Sequence, residues 1–359
     1  MSKTQITHLK LARYPELVSG PARPIHWDVD PSSVCDHRCR GCPYIFDGPI
    51  DPMLGIVRPE TAKDKRTFLH YSVFYRFARD AAEHGAKAIT FVGGGEPTLH
   101  PRFPEMMDTA RHFGMKFGVI THLGRKYDDA FFEAVGQATW VRVSVNAAHR
   151  DTYLKHQGRD HFDQMLFNME RLAKLGVRVG MSFLITNDNY REIVGAAQLA
   201  EFHGASFIQY KPIIEIELGK AYDGIEEDIR AALFTAKGLT RDRFQAHFQV
   251  LDQWTARLDE LKRHAAGEFS GPCHVQRFNP KLGANGVVYT CCELAYSTEG
   301  AIGSIYEEPL SAILERAGTM AIDQKGCPHC WDKPLNTLIN EGKLDTCTPP
   351  PESVDQEFV

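Results

Sequence analysis

The pattern that most limits how this chain can fold runs from about Pro24 to Ile214. Six apolar runs rich in β-branched residues recur there: "PIHWDVD", "AITFVGG", "KFGVITH", "WVRVSVN", "RVGMSFLIT" and "SFIQYKPII". A helical stretch separates each from the next, at Phe68–His84, Phe103–Phe113, Asp128–Val135, Phe162–Leu175 and Tyr190–His203. Strands joined through helices cannot pair as hairpins, so they line up in parallel with right-handed crossovers. Gly85, Gly114, Gly176 and Gly204 follow four of the helices, where a C-terminal cap is expected. The class is α/β, with a flat doubly wound sheet and a barrel-like closure both open. In either arrangement, chemistry gathers at the C-terminal ends of the strands.

Nine cysteines are distributed unevenly along this frame. Cys35, Cys39 and Cys42 lie in "VCDHRCRGCPY", just after the first strand; six more lie between 273 and 347, with none in the 230 residues between. The N-terminus lacks a continuous apolar core and a small-residue cleavage site, so no secretory signal is expected. No apolar run approaches the ~20 residues of a membrane span. The expected compartment is the cytoplasm, where clustered thiols point to metal or redox use rather than disulfides. A net charge of −5 and a pI near 6.3 argue against nucleic acid as a partner.

Thiolates bind soft metals, and both zinc and a 4Fe–4S cluster usually take four ligands. Three close cysteines leave one position open, unless a distant residue completes a zinc knuckle. A second motif, "FVGGGEPTLHP" from Phe91 to Pro101, closes the second strand. Three glycines let the backbone approach a ligand, and Glu96 sets a carboxylate at the strand's rim.

With C-x3-C-x2-C at the end of one strand and GGGEP at the end of the next, the chain resembles the radical SAM superfamily. The resemblance implies a partial (β/α)6 TIM-like barrel, a 4Fe–4S cluster on Cys35, Cys39 and Cys42, and S-adenosylmethionine (SAM) chelating the open iron. By motif position, Gly94, Gly95 and Glu96 would contact SAM. "VSVNAA" resembles the family's ribose and carboxylate segment, which implies Ser144 and Asn146. The family usually has an aromatic residue just before the third cysteine, where this chain has Gly41; Tyr44 is the expected substitute at the adenine. The implied chemistry is reductive cleavage of SAM to a 5′-deoxyadenosyl radical that takes hydrogen from an unactivated C–H.

The second cysteine group reads Cys273-x17-Cys291, then Cys327-x2-Cys330, with Gly286 five residues before Cys291. Four thiolates suit a second cluster or a zinc ribbon. Beside the first motif, C-x12-G-x4-C followed by C-x2-C resembles the twitch domain, a shortened SPASM domain, over about Cys273 to Asn336. That implies one auxiliary 4Fe–4S cluster fully ligated by protein, passing electrons or supporting the fold.

The expected organisation is a barrel at 1–222, a bridge at 223–270 that is mostly helical with "FQAHFQV" as a candidate strand, a small Cys-rich α+β domain at 271–340, and a tail at 341–359.

The expected enzyme is a radical SAM oxidoreductase (dehydrogenase) or epimerase. It would act at a carbinol carbon of a small sugar-like or aminocyclitol substrate, resembling members of antibiotic biosynthesis. Dehydrogenation needs a base, for which Lys211, Glu215, Glu217 and His122 stand at strand ends. Epimerisation needs a hydrogen donor, for which the two remaining thiols, Cys292 and Cys347, are candidates. Flavodoxin or ferredoxin is the expected external electron donor. The alternative is a maturase of a ribosomally made peptide. The roughly 25 residues before the first strand are shorter than the peptide-binding domain often fused to such enzymes. A non-enzymatic iron–sulfur or zinc scaffold is the reading from another class.

Overall fold

The computed structural model describes residues 20–40, 42, 44, 67–213, 222–243, 246–265, 267–324, 327, 333–343 and 358. Along the chain the described elements begin β1 His26–Val29, α1 Tyr71–Glu83, β2 Ala88–Phe91, α2 Phe103–His112, β3 Lys116–Thr121, α3 Asp129–Val135 and β4 Trp140–Ser144. They continue α4 Arg150–Gln157, α5 Phe162–Lys174, β5 Val179–Ile185, α6 Ile193–Phe202, β6 Phe207–Pro212, α7 Glu226–Lys237, β7 Arg241–Arg243 and β8 Ala246–Asp252. They close with α8 Trp254–Ala265, β9 Lys281–Leu282, β10 Val287–Tyr289, β11 Ala301–Ser304, α9 Leu310–Thr319 and α10 Lys333–Asn340. This is the expected mixed α/β fold with parallel strands, the alternation that a partial TIM-like barrel uses. No helix among the described residues is long and apolar enough to cross a membrane.

The chain divides into two compact units. The first comprises Met1–Val34, Gly48–Phe117 and Arg263–Val359. Here β1 pairs in parallel with β2, His26 opposite Ala88 through Val29 opposite Phe91. On its other side β1 pairs in parallel with β9, Asp28 opposite Lys281. β9, β10 and β11 continue antiparallel. β2 is buried along its whole length, as a strand covered on both faces requires. α1 buries Val73, Phe74, Phe77, Ala78 and Ala81, one stripe at helical spacing. Trp27 meets Phe77 edge-on at 4.8 Å, and Phe103 of α2 meets Phe91 at 5.4 Å.

The second unit comprises Cys35–Asp47 and Gly118–Lys262. β3, β4, β5 and β6 pair successively in parallel. Within the "FQAHFQV" stretch, Ala246–Val250 belong to strand β8, parallel to β6 with Phe207 opposite Gln249. β7 pairs antiparallel with it. Helix α4 is an element the apolar period does not announce, since it buries Tyr153, His156 and Gln157 rather than an aliphatic stripe.

Candidate cofactor and metal centres

The three N-terminal cysteines follow β1 along the chain and are each half-buried. The turn is tight, with the Cys42 N–H donating to the Cys39 carbonyl at 3.2 Å. The loop also finishes a helix. The last carbonyls of α4 have no partner within the helix. The Arg38 N–H donates to the Gln157 carbonyl at 3.0 Å and the Arg40 N–H to the His156 carbonyl at 2.8 Å. Gln157 then reaches back with its side chain. Its Nε2 donates to the carbonyls of Ser144 and Val145 at 3.2 and 3.1 Å, and its Oε1 lies 2.8 Å from Cys39 Sγ. One buried amide therefore ties the cysteine loop to the end of β4.

A histidine cluster packs beneath the same loop. His37 stacks on His122 with ring centroids 3.7 Å apart, and its Nε2 meets His161 Nδ1 at 2.9 Å. Nitrogens of His37, His122 and His161 lie close enough to suit a metal ion. Hydrogen bonding argues for a different use. His122 Nδ1 accepts from the Gly124 N–H at 2.9 Å, so the proton sits on Nε2 and is donated to Asp36 Oδ1 at 2.9 Å. Both nitrogens of His122 are thereby committed. Burial, followed by the neighbouring His122, pushes His37 down to about 3, so it is neutral. The hydrogen bond from His122 holds Asp36 well below the usual carboxylate range.

The glycine turn lies in the first unit. The Glu96 N–H donates to the Val34 carbonyl at 2.8 Å, which fastens the turn to the residue that immediately precedes Cys35. Glu96 is 3% exposed, and its Oε1 accepts from the Thr98 N–H and hydroxyl at 3.2 and 2.7 Å. The carboxylate thus caps the short helix Pro97–Leu99 and is held in one rotamer.

Ser144 ends β4 opposite Ser182. Asn146 adopts φ +60°, a left-handed conformation that asparagine tolerates. Its Oδ1 accepts from the Leu184 N–H at 2.8 Å, so much of its polar capacity serves the backbone. Tyr44 is half-buried in a turn. Lys211 is buried in β6 opposite Leu184. Glu215, Glu217, Cys330 and Cys347 lie outside the described residues.

Cys273, Cys291 and Cys327 line one small cavity in the first unit, with Leu294, Ile322 and Asn336. Burial pushes the Cys291 thiol well up, and its neighbours Cys292, Cys273 and Cys327 push it further. Such a set of converging thiols, Cys291 buried and Cys273 and Cys327 half-buried, becomes favourable as thiolates once a cation joins them. The donors present therefore fit a soft metal centre. Asn336, fully buried, sends Nδ2 to within 3.5 Å of Cys273 Sγ. Cys292 adjoins Cys291, and in a continuing strand the two side chains would point to opposite faces. β10 stops at Tyr289, so that alternation does not apply.

Comparisons with known proteins point to one superfamily. Residues 29–200 match the Radical SAM superfamily. A SAM-dependent nucleotide dehydratase from Flammeovirga pacifica is 26% identical over 164 residues, 44% of this chain and 52% of the relative. An Fe-coproporphyrin III synthase from Methanosarcina barkeri is 32% identical over 125 residues, 34% of this chain and 31% of the relative. The chain thus spans about half, or less, of these curated relatives. Among solved structures, Streptococcus suis SuiB bound to its precursor peptide SuiA is similar in fold, with a TM-score of 0.62 at 13% identity over 93% of this chain and 77% of that one. anSMEcpe with bound AdoMet gives 0.58 at 16% identity, covering 81% and 80%.

Proposed function

We propose, from the match of residues 29–200 to the Radical SAM superfamily, that the chain cleaves SAM reductively and removes hydrogen from a carbinol C–H of a small polar substrate. The hydrogen bond from Glu96 to Val34 carries the reading, because it joins the GGGEP turn to the residue beside Cys35. When bound, a 4Fe–4S cluster on Cys35, Cys39 and Cys42 supplies the electron that splits the SAM carbon–sulfur bond, and the carbon radical so released abstracts the substrate hydrogen. Glu96, fixed by Thr98, is proposed to accept from the amino group of SAM, with Gly94 and Gly95 giving it close backbone access. Ser144 and Asn146 are assigned to its ribose and carboxylate side, and Tyr44 to its adenine.

Cys273, Cys291 and Cys327, completed by Cys330, are proposed to hold an auxiliary cluster that takes up an electron. This favours dehydrogenation to a ketone, with Lys211 or Glu215 receiving the hydroxyl proton. Epimerisation with Cys292 or Cys347 as hydrogen donor is the second outcome. Flavodoxin or ferredoxin is the proposed electron source. Modification of a peptide is the alternative substrate class, supported by likeness of fold to SuiB bound to SuiA.

The test is anaerobic incubation with SAM, reductant and candidate substrates in D2O. Formation of 5′-deoxyadenosine, abolished in Cys39→Ala, is expected. Unchanged cleavage in Cys39→Ala overturns the cluster assignment. A ketone without deuterium at the attacked carbon marks dehydrogenation, and deuterium there marks quenching by a thiol.

A further inference from the structure

Each glycine of Gly93–Gly95 is closed to a side chain for its own reason. A Cβ on Gly93 would strike the Gly95 carbonyl, and one on Gly95 would strike the Val34 carbonyl. Both collisions are with nearby backbone. A Cβ on Gly94 would instead meet the hydroxyl and ring of Tyr296, at 2.7 to 2.9 Å. Tyr296 comes from the Cys-rich segment, five residues beyond Cys291.

Tyr296 is held from several directions. Its hydroxyl donates to Asp30 Oδ2 at 2.8 Å and accepts from the Ala284 N–H at 3.1 Å. Asp30 is fully buried, and its other carboxylate oxygen lies 2.8 Å from Lys281 Nζ, itself 1% exposed. The backbone of Tyr296 sits at φ +61°, a left-handed conformation that a bulky residue adopts only when its surroundings impose it. A buried ion pair with a phenol on its second oxygen is a rigid anchor. A phenylalanine would fill the same volume, so the hydroxyl's contribution is to fix where the ring stands.

We propose that Tyr296 is a positioning residue for SAM binding. Its ring is the surface on which the Gly94 backbone rests, and the Lys281–Asp30–Tyr296 network sets the height of that surface. This rests on the reading of Gly94–Glu96 as a SAM contact. Removing the hydroxyl lets the ring shift and loosens the turn, while the cysteines of both groups are untouched.

The experiment measures SAM dissociation constants by equilibrium dialysis on the anaerobically reconstituted full chain. Iron content and the EPR spectrum of the reduced protein, with and without SAM, are recorded on the same samples. Tyr296→Phe is expected to keep wild-type iron and to weaken SAM binding by about threefold or more, within the range of couplings between contacting groups. Gly94→Ala is expected to weaken it by about tenfold or more. With Tyr296→Ala measured alone as well, Gly94→Ala/Tyr296→Ala, in which the clash is gone, loses less than the product of the Gly94→Ala and Tyr296→Ala losses. Wild-type affinity in Tyr296→Phe, a loss of iron in that variant, or losses that simply multiply in the double variant would each overturn the proposal. A wild-type protein that holds its iron and binds no SAM overturns the reading of the turn itself.

Discussion

Replacing Gln157 with leucine tests whether one buried amide supports the cysteine loop. Leucine nearly matches the volume but cannot donate. The carbonyls of Ser144 and Val145 would then lose the N–H groups now 3.2 and 3.1 Å away. Gln157 is 1% exposed, so water does not readily replace them. A buried carbonyl left without a donor costs about 1–3 kcal/mol. The two together place the local loss at roughly 2–6 kcal/mol. The damage should be regional, because Gln157 touches the loop and the end of β4 rather than the distant strands. Hydrogen exchange read by mass spectrometry on the metal-free protein is the assay. Peptides covering 35–42 and 144–158 should exchange about tenfold faster or more, while peptides from β1 and β2 keep wild-type protection. Reconstituted Gln157→Leu should also bind less iron. Unaltered exchange in both peptides would refute the idea that the amide supports the loop.

Two further predictions concern the charges inside. Lys281→Met leaves Asp30 charged and buried, so urea unfolding should show a loss of about 3–5 kcal/mol. Asp30→Asn/Lys281→Met should recover part of it, and a double variant no better than Lys281→Met would contradict the pairing. The buried imidazoles set a pH dependence. His37, His100 and His156 are all lowered from their ordinary value of 6.5, chiefly by burial. The folded state therefore resists protons that the unfolded chain takes up below 6.5. Stability is complete above that pH and is lost as pH falls, for His37 down to about 3. A melting temperature that stays constant from pH 7 to 5 would contradict this.

How much of this could be read from the chain depends on the range of the interaction. All six strands of the apolar alternation are present, because each run is both buried and β-branched. The four glycines expected to end helices, Gly85, Gly114, Gly176 and Gly204, all have positive φ. β8 was less legible, since its described buried residues, Phe248 and Val250, are only two and flank the polar Gln249. α4 was missed because its buried face carries Tyr153, His156 and Gln157. Of those side chains, Gln157 reaches Cys39 and the Tyr153 ring meets His37 in the cysteine loop. The spacing of Cys35, Cys39 and Cys42 and the GGGEP turn can be read directly in the sequence. Gln157 and Tyr296 did not, because one lies 118 residues from its cysteine and the other 266 from its aspartate. Their significance exists only once the fold brings those partners together.

The most direct test of the whole account is EPR of the anaerobically reduced, reconstituted protein before and after SAM is added. The account predicts a 4Fe–4S signal that SAM perturbs and that disappears when Cys35, Cys39 and Cys42 are replaced by alanine. Zinc on those three cysteines, or the absence of any cluster signal that both responds to SAM and depends on them, would contradict it.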